Sequence, residues 1–180
     1  MRPSVRLIPA LTALLLAAPG HAQAQGGDDP TAALQVDAAA LDGCVGERIA
    51  ADADPAGCAG RASRACMDMP GGDTTVGMSH CIGLELKLWD TRLNGTYQAL
   101  MADARAADAE MAAMGSAAPA QAPALQQAQR DWMVFRDAAC TYEETRWGGG
   151  SGGGPAAAHC AMVLTAQQFL RLRAYTDQKN

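Results

Sequence analysis

Two sets of polar and aromatic side chains recur at helical spacing and could line a binding surface. Residues three or four positions apart share one face of a helix, so each set would form a stripe on its own helix. A stripe of aromatic, amide, carboxylate and guanidinium groups suits recognition of a partner better than bond making or breaking. The first set contains Trp89, Asp90, Asn94 and Tyr97, and the second contains Gln129, Trp132, Arg136 and Asp137.

Two interpretations of these stripes remain open. In the first, Tyr97, Arg136 and Asp137 face outward and engage a partner. In the second, both tryptophans pack between the helices and Arg136 pairs with Asp90 or Glu85. Asn94 or Gln129 would then satisfy buried polar atoms. The packing interpretation is favoured because an apolar stripe at helical spacing usually faces a core.

A possible copper site is the second kind of chemistry that the sequence suggests. Thioether, imidazole and thiolate groups are the ligands that suit the cuprous ion. The alternative is that the cysteines are oxidised, the histidines are exposed and the methionines fill a thin core. No established ligand motif matches the spacing, so we expect neither a metal nor another cofactor. The residues concerned are Met67, Met69, Met78, His80 with Cys81, and His159 with Cys160.

Signatures of enzymes with known motifs are weak in this chain. The zinc-protease motif His-Glu-x-x-His does not occur, and the glycine run at 148–154 lacks the Lys and Ser/Thr of a phosphate-binding loop. Cys–His catalysis needs a free thiol. We therefore expect a protein that is not an enzyme.

The cysteines and the first residues both predict an exported protein. Arg2 and Arg6 form a positive region before an apolar run at 7–18, and a small-x-small pattern predicts signal cleavage after Ala24. That run is too short to span a bilayer comfortably, and no later segment resembles a membrane span. In an oxidising compartment six cysteines imply three disulfides. We expect a periplasmic or secreted protein.

Fifteen pairings of six cysteines are possible, and the sequence alone does not decide between them. We prefer pairing between nearest neighbours, which closes three short loops. Each such bond would stabilise the fold by about 3 kcal/mol. The pairs would be Cys44–Cys58, Cys66–Cys81 and Cys140–Cys160.

The charge of the chain argues against nucleic acid as a partner. Acidic residues number 19 against 14 basic ones, which gives a formal net charge of −5. An acidic surface repels phosphate backbones. It attracts cationic partners, and it also keeps a protein soluble.

Composition predicts an all-α fold, namely a small disulfide-stapled helical bundle or hairpin with a short helical extension at its N-terminus. Helix-favouring residues dominate, whereas β-branched and aromatic residues are sparse. We divide the chain into a signal peptide (1–24), a disordered start (25–34), a cysteine-containing extension (35–67) and a helical domain (68–178). The extension should hold helices over 41–51 and 56–66, separated near Asp54-Pro55.

Three longer helices are predicted in the domain. One follows the cap signal at 70–75 and runs to about Met114, with Glu85 on its polar faces. A break over 115–123 precedes the first arm of a hairpin, and a mobile connector over 147–155 precedes the last helix, which covers about 156–175. Their apolar stripes are Ile82, Leu86, Trp89, Leu93, Tyr97 and Leu100; Leu125, Ala128, Trp132, Phe135, Ala139 and Tyr142; and Met162, Val163, Ala166, Phe169 and Leu170.

From Cys66 to its end, the chain resembles the LprI-like family, a family of exported bacterial domains named after a lysozyme inhibitor. The segment from Cys44 to Cys66 looks like an extension found in part of that family. The family usually has an arginine three residues after the threonine of its last motif, and this chain has Gln168 there. The matching runs are Cys81-x3-Glu85-x3-Trp89-Asp90-x2-Leu93-Asn94-x2-Tyr97-x2-Leu100, then Leu125-x3-Gln129-x2-Trp132-x3-Arg136-Asp137-x2-Cys140, and Cys160-x4-Thr165.

This resemblance implies an all-helical periplasmic protein that binds a protein partner. The partner it suggests is a glycan hydrolase of the lysozyme type, which the domain would inhibit. An alternative is a structural or stress protein of the envelope with another partner. Kinship of fold does not by itself transfer a function.

Overall fold

The computed structural model describes residues 29–177, which form helices joined by turns. No strand occurs within that range, and the all-α prediction is confirmed. The predicted signal peptide lies outside the described residues. None of the helices within 29–177 is long and apolar enough to cross a membrane. The elements are α1 (Ala38–Ala50), a 3-10 helix (Pro55–Cys58), α2 (Arg61–Met67), α3 (Thr75–Ala113), α4 (Gln121–Thr145) and α5 (Gly153–Asp177).

The central helix is α3, and its most extensive packing is against α5. Trp89 and Leu93 of α3 are buried together with Met162 and Phe169 of α5. The rings of Trp89 and Phe169 lie 5.8 Å apart between centroids, which is within the range of favourable aromatic pairs. These four side chains were predicted to be core residues, and the core prediction is confirmed for α3 and α5.

The extension folds differently from its prediction. The segment predicted as one helix over 56–66 is a 3-10 helix and α2, separated at Gly60. Gly60 has φ +88°, a left-handed conformation that glycine adopts without strain. The preceding helix, α1, begins three residues before its predicted start because Asp37 caps it through bonds from the backbone N–H groups of Ala39 and Ala40.

Residues 29–34 form a turn, although we expected a flexible start over 25–34. The Asp29 carboxylate accepts hydrogen bonds from the backbone N–H and the hydroxyl of Thr31, and both bonds lower the pKa of Asp29. Leu34 is buried against Cys66 and Cys81. This apolar contact orders the beginning of the described chain.

Three disulfide bonds join the six cysteines, in the nearest-neighbour pairing preferred from the sequence. The Cys44–Cys58 bond holds α1 to the 3-10 helix, and the Cys66–Cys81 bond holds α2 to α3. The Cys140–Cys160 bond joins α4 to α5 beside the glycine-rich loop.

Helix α4 begins earlier than predicted, at Gln121 rather than after Pro123. Proline is tolerated in the first turn of a helix, where its missing N–H would have no partner. The side chain of Asp108, on α3, accepts hydrogen bonds from the backbone N–H groups of Gln121 and Ala122 at 2.6 and 2.9 Å. A carboxylate from one helix thus caps the next.

The glycine-rich connector is more structured than we predicted. Helix α5 already begins at Gly153, so Pro155 lies in its first turn. The residues before it form a succession of turns with backbone hydrogen bonds, and Gly148 and Gly149 both have positive φ. The expectation of an irregular connector over 147–155 is therefore wrong for its last three residues.

Candidate functional site: a groove beside the family motifs

Glu85 has the most unusual environment among the motif residues. Its side chain is fully buried, although the sequence placed it on a polar face. Its carboxylate accepts hydrogen bonds from the backbone N–H groups of Gly60 and Ser63 at 2.7 and 2.6 Å, and from the indole N–H of Trp89 at 2.9 Å. The first two donors lie at the N-terminus of α2. Glu85 therefore caps α2 from outside and fixes it on α3.

The remaining residues of the α3 stripe lie nearer the surface. Asn94 donates a hydrogen bond of 2.9 Å to the side chain of Asp90, and both groups are accessible to solvent. Tyr97 is half-buried and packs between the main core and the small cluster around Met101. Of the two amides expected to satisfy buried polar atoms, Asn94 does not, because it is exposed, whereas Gln129 pairs with the buried Gln168.

The α4 stripe is also divided between buried and accessible residues. Gln129 is buried and accepts a hydrogen bond of 3.0 Å from the Gln168 amide of α5. The half-buried ring of Trp132 packs on the core. The guanidinium group of Arg136 lies 5.1 Å from the centre of that ring and pairs with Asp137 at 2.8 Å.

Two expectations about charged partners change as a result. Arg136 pairs with its neighbour in sequence and not with Asp90 or Glu85 on α3. Gln168, at the position where the resemblance implied an arginine, donates a hydrogen bond to the uncharged Gln129. The contact between α4 and α5 at this position is therefore a neutral amide pair.

The outer part of α4 contradicts the predicted apolar core. Phe135 is 59% exposed, Tyr142 is 66% exposed and Ala128 is exposed. The helix buries only Ala122, Gln129 and Cys140. Helical spacing showed that these apolar residues share a face, but the body of the protein covers only part of that face.

The exposed aromatic residues border an open groove of about 960 Å³ between α4 and the first turns of α3 and α5. Pockets of roughly 300–1,000 Å³ are the usual size for ligand sites. Trp147, which is 54% exposed, lines the groove and lies against Gly152. The apolar lining of the groove includes Met67, Met78, Ile82, Pro155, Val163 and Leu164.

Charged groups lie around the groove's opening. Glu143 and Arg146 of α4 form an ion pair of 2.9 Å, and His159 lines the groove from α5. Tryptophan, tyrosine and arginine are the residue types that contribute most to protein–protein affinity. This site was not predicted from the sequence, because the helical spacing of Phe135 and Tyr142 indicated core positions.

The candidate copper ligands are only partly brought together. Met67, Met78 and His159 line the groove, whereas Met69 packs against the cluster around Leu34. All six cysteines are oxidised, so they offer no thiolate. Within residues 29–177 there is no group of three His, Cys, Asp or Glu side chains placed to hold a metal ion.

The glycine-rich loop contains a sequence that resembles the nucleophile motif of hydrolases. Residues 149–153 read Gly-x-Ser-x-Gly, with Ser151 at the centre. In hydrolases that use this motif the serine lies between a strand and a helix. Ser151 instead lies in an exposed turn between two helices, so the local structure that activates such a serine is not formed here.

Comparison with known proteins places these features in a family. A family model described as lysozyme inhibitor LprI matches residues 66–172. Comparisons with curated proteins and with solved structures gave no match. The match includes the buried Glu85, both stripes, the groove and two of the three disulfides. With more than half of its length matched, the chain belongs to the LprI family of lysozyme inhibitors.

Proposed function

We propose that this protein is exported and, without being an enzyme, binds and inhibits a glycan hydrolase of the lysozyme type. The observation that carries this proposal is the family match over residues 66–172. Three disulfides support export, because such bonds persist in oxidising compartments. The signal sequence predicted for residues 1–24 supports a periplasmic or secreted location.

The groove is the surface that we propose for the contact. Its aromatic border supplies apolar area, and the Glu143–Arg146 pair at its opening supplies polar contacts. Interfaces of this kind have an apolar centre and a polar rim. Three motif residues that do not line the groove, Asp90, Asn94 and Asp137, are also accessible to solvent.

Electrostatic attraction would assist the encounter with a basic hydrolase. The chain has an excess of acidic residues, with a net charge of −5. Complementary charge raises association rates and orients the partners before contact. The inhibitor would then block access of the glycan to the hydrolase cleft by occupying the space in front of it.

Inhibition is tested with the chain from Gln25 onward and a basic c-type lysozyme acting on bacterial cell walls. We expect the lysis rate to fall as the protein is added at micromolar concentration. Tyr142→Ala, which changes the groove, should weaken inhibition about tenfold or more, as truncation of a central contact residue does. Tyr175→Ala is the matched control, since Tyr175 is exposed on α5 and does not line the groove. Undiminished lysis with excess protein would refute inhibition.

A further inference from the structure

The three disulfides differ in their accessibility. Cys44, Cys58, Cys66 and Cys81 are all buried, with exposed fractions of 5% or less. Cys160 is partly exposed and belongs to the lining of the groove. Its partner Cys140 is buried. The Cys140–Cys160 bond is therefore the one that a reagent in the groove can approach.

The same bond holds the outer half of α4. Beyond Gln129, Cys140 is the only residue of α4 that is buried. Phe135 and Tyr142 on either side of it are mostly exposed. Because few apolar contacts hold this segment, its attachment to α5 depends on the disulfide to an unusual degree.

We propose that Cys140–Cys160 is an exchangeable disulfide, which a dithiol oxidoreductase reaches through the groove. Its reduction then releases the aromatic wall of the groove, formed by Phe135, Tyr142 and Trp147. The groove fits an oxidoreductase because such an enzyme must bring a reactive thiol to a disulfide, and Cys160 is the partly exposed cysteine in this largely apolar lining. This inference does not require that the protein inhibits a hydrolase.

The exchange is balanced with the dithiol as reductant. A thiolate of the oxidoreductase attacks Sγ of Cys160, and the Cys140 sulfur leaves as a thiolate that takes up a proton. The second thiolate of the enzyme then attacks its own sulfur in the mixed disulfide and releases Cys160 as a thiol. Two electrons pass to the protein, and the oxidoreductase ends as a disulfide.

Reduction should alter one region and leave the rest intact. The two buried disulfides still hold α1 to the 3-10 helix and α2 to α3. The core between α3 and α5 contains neither Cys140 nor Cys160. We therefore expect residues 130–152 to loosen while the Trp89 core persists.

The first experiment measures which bond is reduced. The oxidised chain is treated with reduced thioredoxin, and new thiols are alkylated and located by peptide mass spectrometry. We expect Cys140 and Cys160 to react about tenfold or more faster than the other four cysteines, because access governs exchange rates. Equal rates for the three bonds, or earlier reduction of another bond, would overturn the proposal.

The second experiment tests the route through the groove. Ala156 lines the groove, so Ala156→Trp should fill it and slow reduction by thioredoxin severalfold. Ala174→Trp is the matched control, at an exposed position further along α5. Circular dichroism of both variants checks folding, and reduction by a small phosphine should differ less between them. Equal thioredoxin rates for two folded variants would contradict docking in the groove.

Amide hydrogen exchange of the double variant Cys140→Ser/Cys160→Ser tests the consequence of reduction. We expect faster exchange over 130–152 and unchanged exchange around Gly60 and Trp89. Unchanged exchange over 130–152 would contradict release of the aromatic wall. Lysozyme is absent from all three experiments, so their results and those of the inhibition assay are separate.

Discussion

The surroundings of Glu85 and the groove beside α4 are opposites: a polar group is buried in the first, and apolar side chains are exposed in the second. Glu85 is a carboxyl group with no exposure to solvent, and three N–H donors satisfy it. The groove contains large aromatic side chains that are more than half exposed. Burial of a polar group is costly unless it is hydrogen-bonded, and large exposed apolar patches usually mark interaction sites. The first region therefore stabilises the fold, and the second is available to a partner.

The largest expected effect is the loss of the Glu85 carboxylate. Glu85→Ala leaves three buried donors unpaired, and each costs about 1–3 kcal/mol. We expect the free energy of unfolding to fall by at least about 3 kcal/mol in urea titrations. Glu85→Gln keeps one acceptor and should lose less. The control is Glu47→Ala, at an exposed position of α1. Similar losses for Glu47→Ala and Glu85→Ala would show that the buried carboxylate has no special role.

The same substitution, glycine to alanine, should have different costs in the packed body of the protein and beside the groove. A Cβ at Gly77 would overlap the backbone carbonyl of Gly71, whereas the atoms nearest to a Cβ at Gly152 all belong to the ring of Trp147. Because backbone yields less easily than a side chain, Gly77→Ala should cost about 1–3 kcal/mol. Gly152→Ala should cost less and displace the ring, which indole fluorescence or NMR detects. A larger loss for Gly152→Ala would contradict the comparison.

The amide pair between α4 and α5 should show an intermediate effect. Gln129→Leu or Gln168→Leu alone leaves a buried amide without its partner and should cost about 1–2 kcal/mol. The double variant replaces both amides by apolar groups and should cost less than the two single losses added together. A double-mutant cycle of unfolding free energies measures this coupling. Additive losses would show that the two amides do not stabilise each other.

The smallest expected effect on stability is in the groove wall. Phe135→Ser removes an aromatic ring that is 59% exposed, and substitutions at such surfaces usually change stability by about 0.5 kcal/mol or less. Phe135→Ser should weaken the inhibition of lysozyme clearly while it leaves the free energy of unfolding almost unchanged. A loss of stability comparable to that of the Gln129 variant would show that the wall belongs to the core.

Much of the fold follows from local sequence patterns. The stripe through Trp89 and Leu93 predicts the buried face of α3, and the order of the cysteines suggests their pairing. The role of Glu85 was not predictable in this way, because helical spacing gives its direction but not the distant N–H groups of Gly60 and Ser63 that it meets. Gly60, which lies between the 3-10 helix and α2, was a signal for the break in the extension.

The groove was missed for a related physical reason. An apolar stripe indicates which residues share a helix face, but it does not indicate whether that face is covered by the same chain or by a partner. Phe135 and Tyr142 have the spacing of core residues, but they remain exposed because α4 buries only Ala122, Gln129 and Cys140 against the rest of the protein. Only the packing of α4 on α5 distinguishes the two outcomes.

The order of the disulfides has a consequence for biogenesis. Each bond links cysteines that are consecutive along the chain, with separations of 14, 15 and 20 residues. A chain that crosses a membrane from its N-terminus presents these cysteines to an oxidant two at a time. Vectorial oxidation, in which each new cysteine pairs with the one that emerged before it, then produces the native set directly. If the protein is exported as proposed, its folding would need an oxidant but would have little need for a disulfide isomerase.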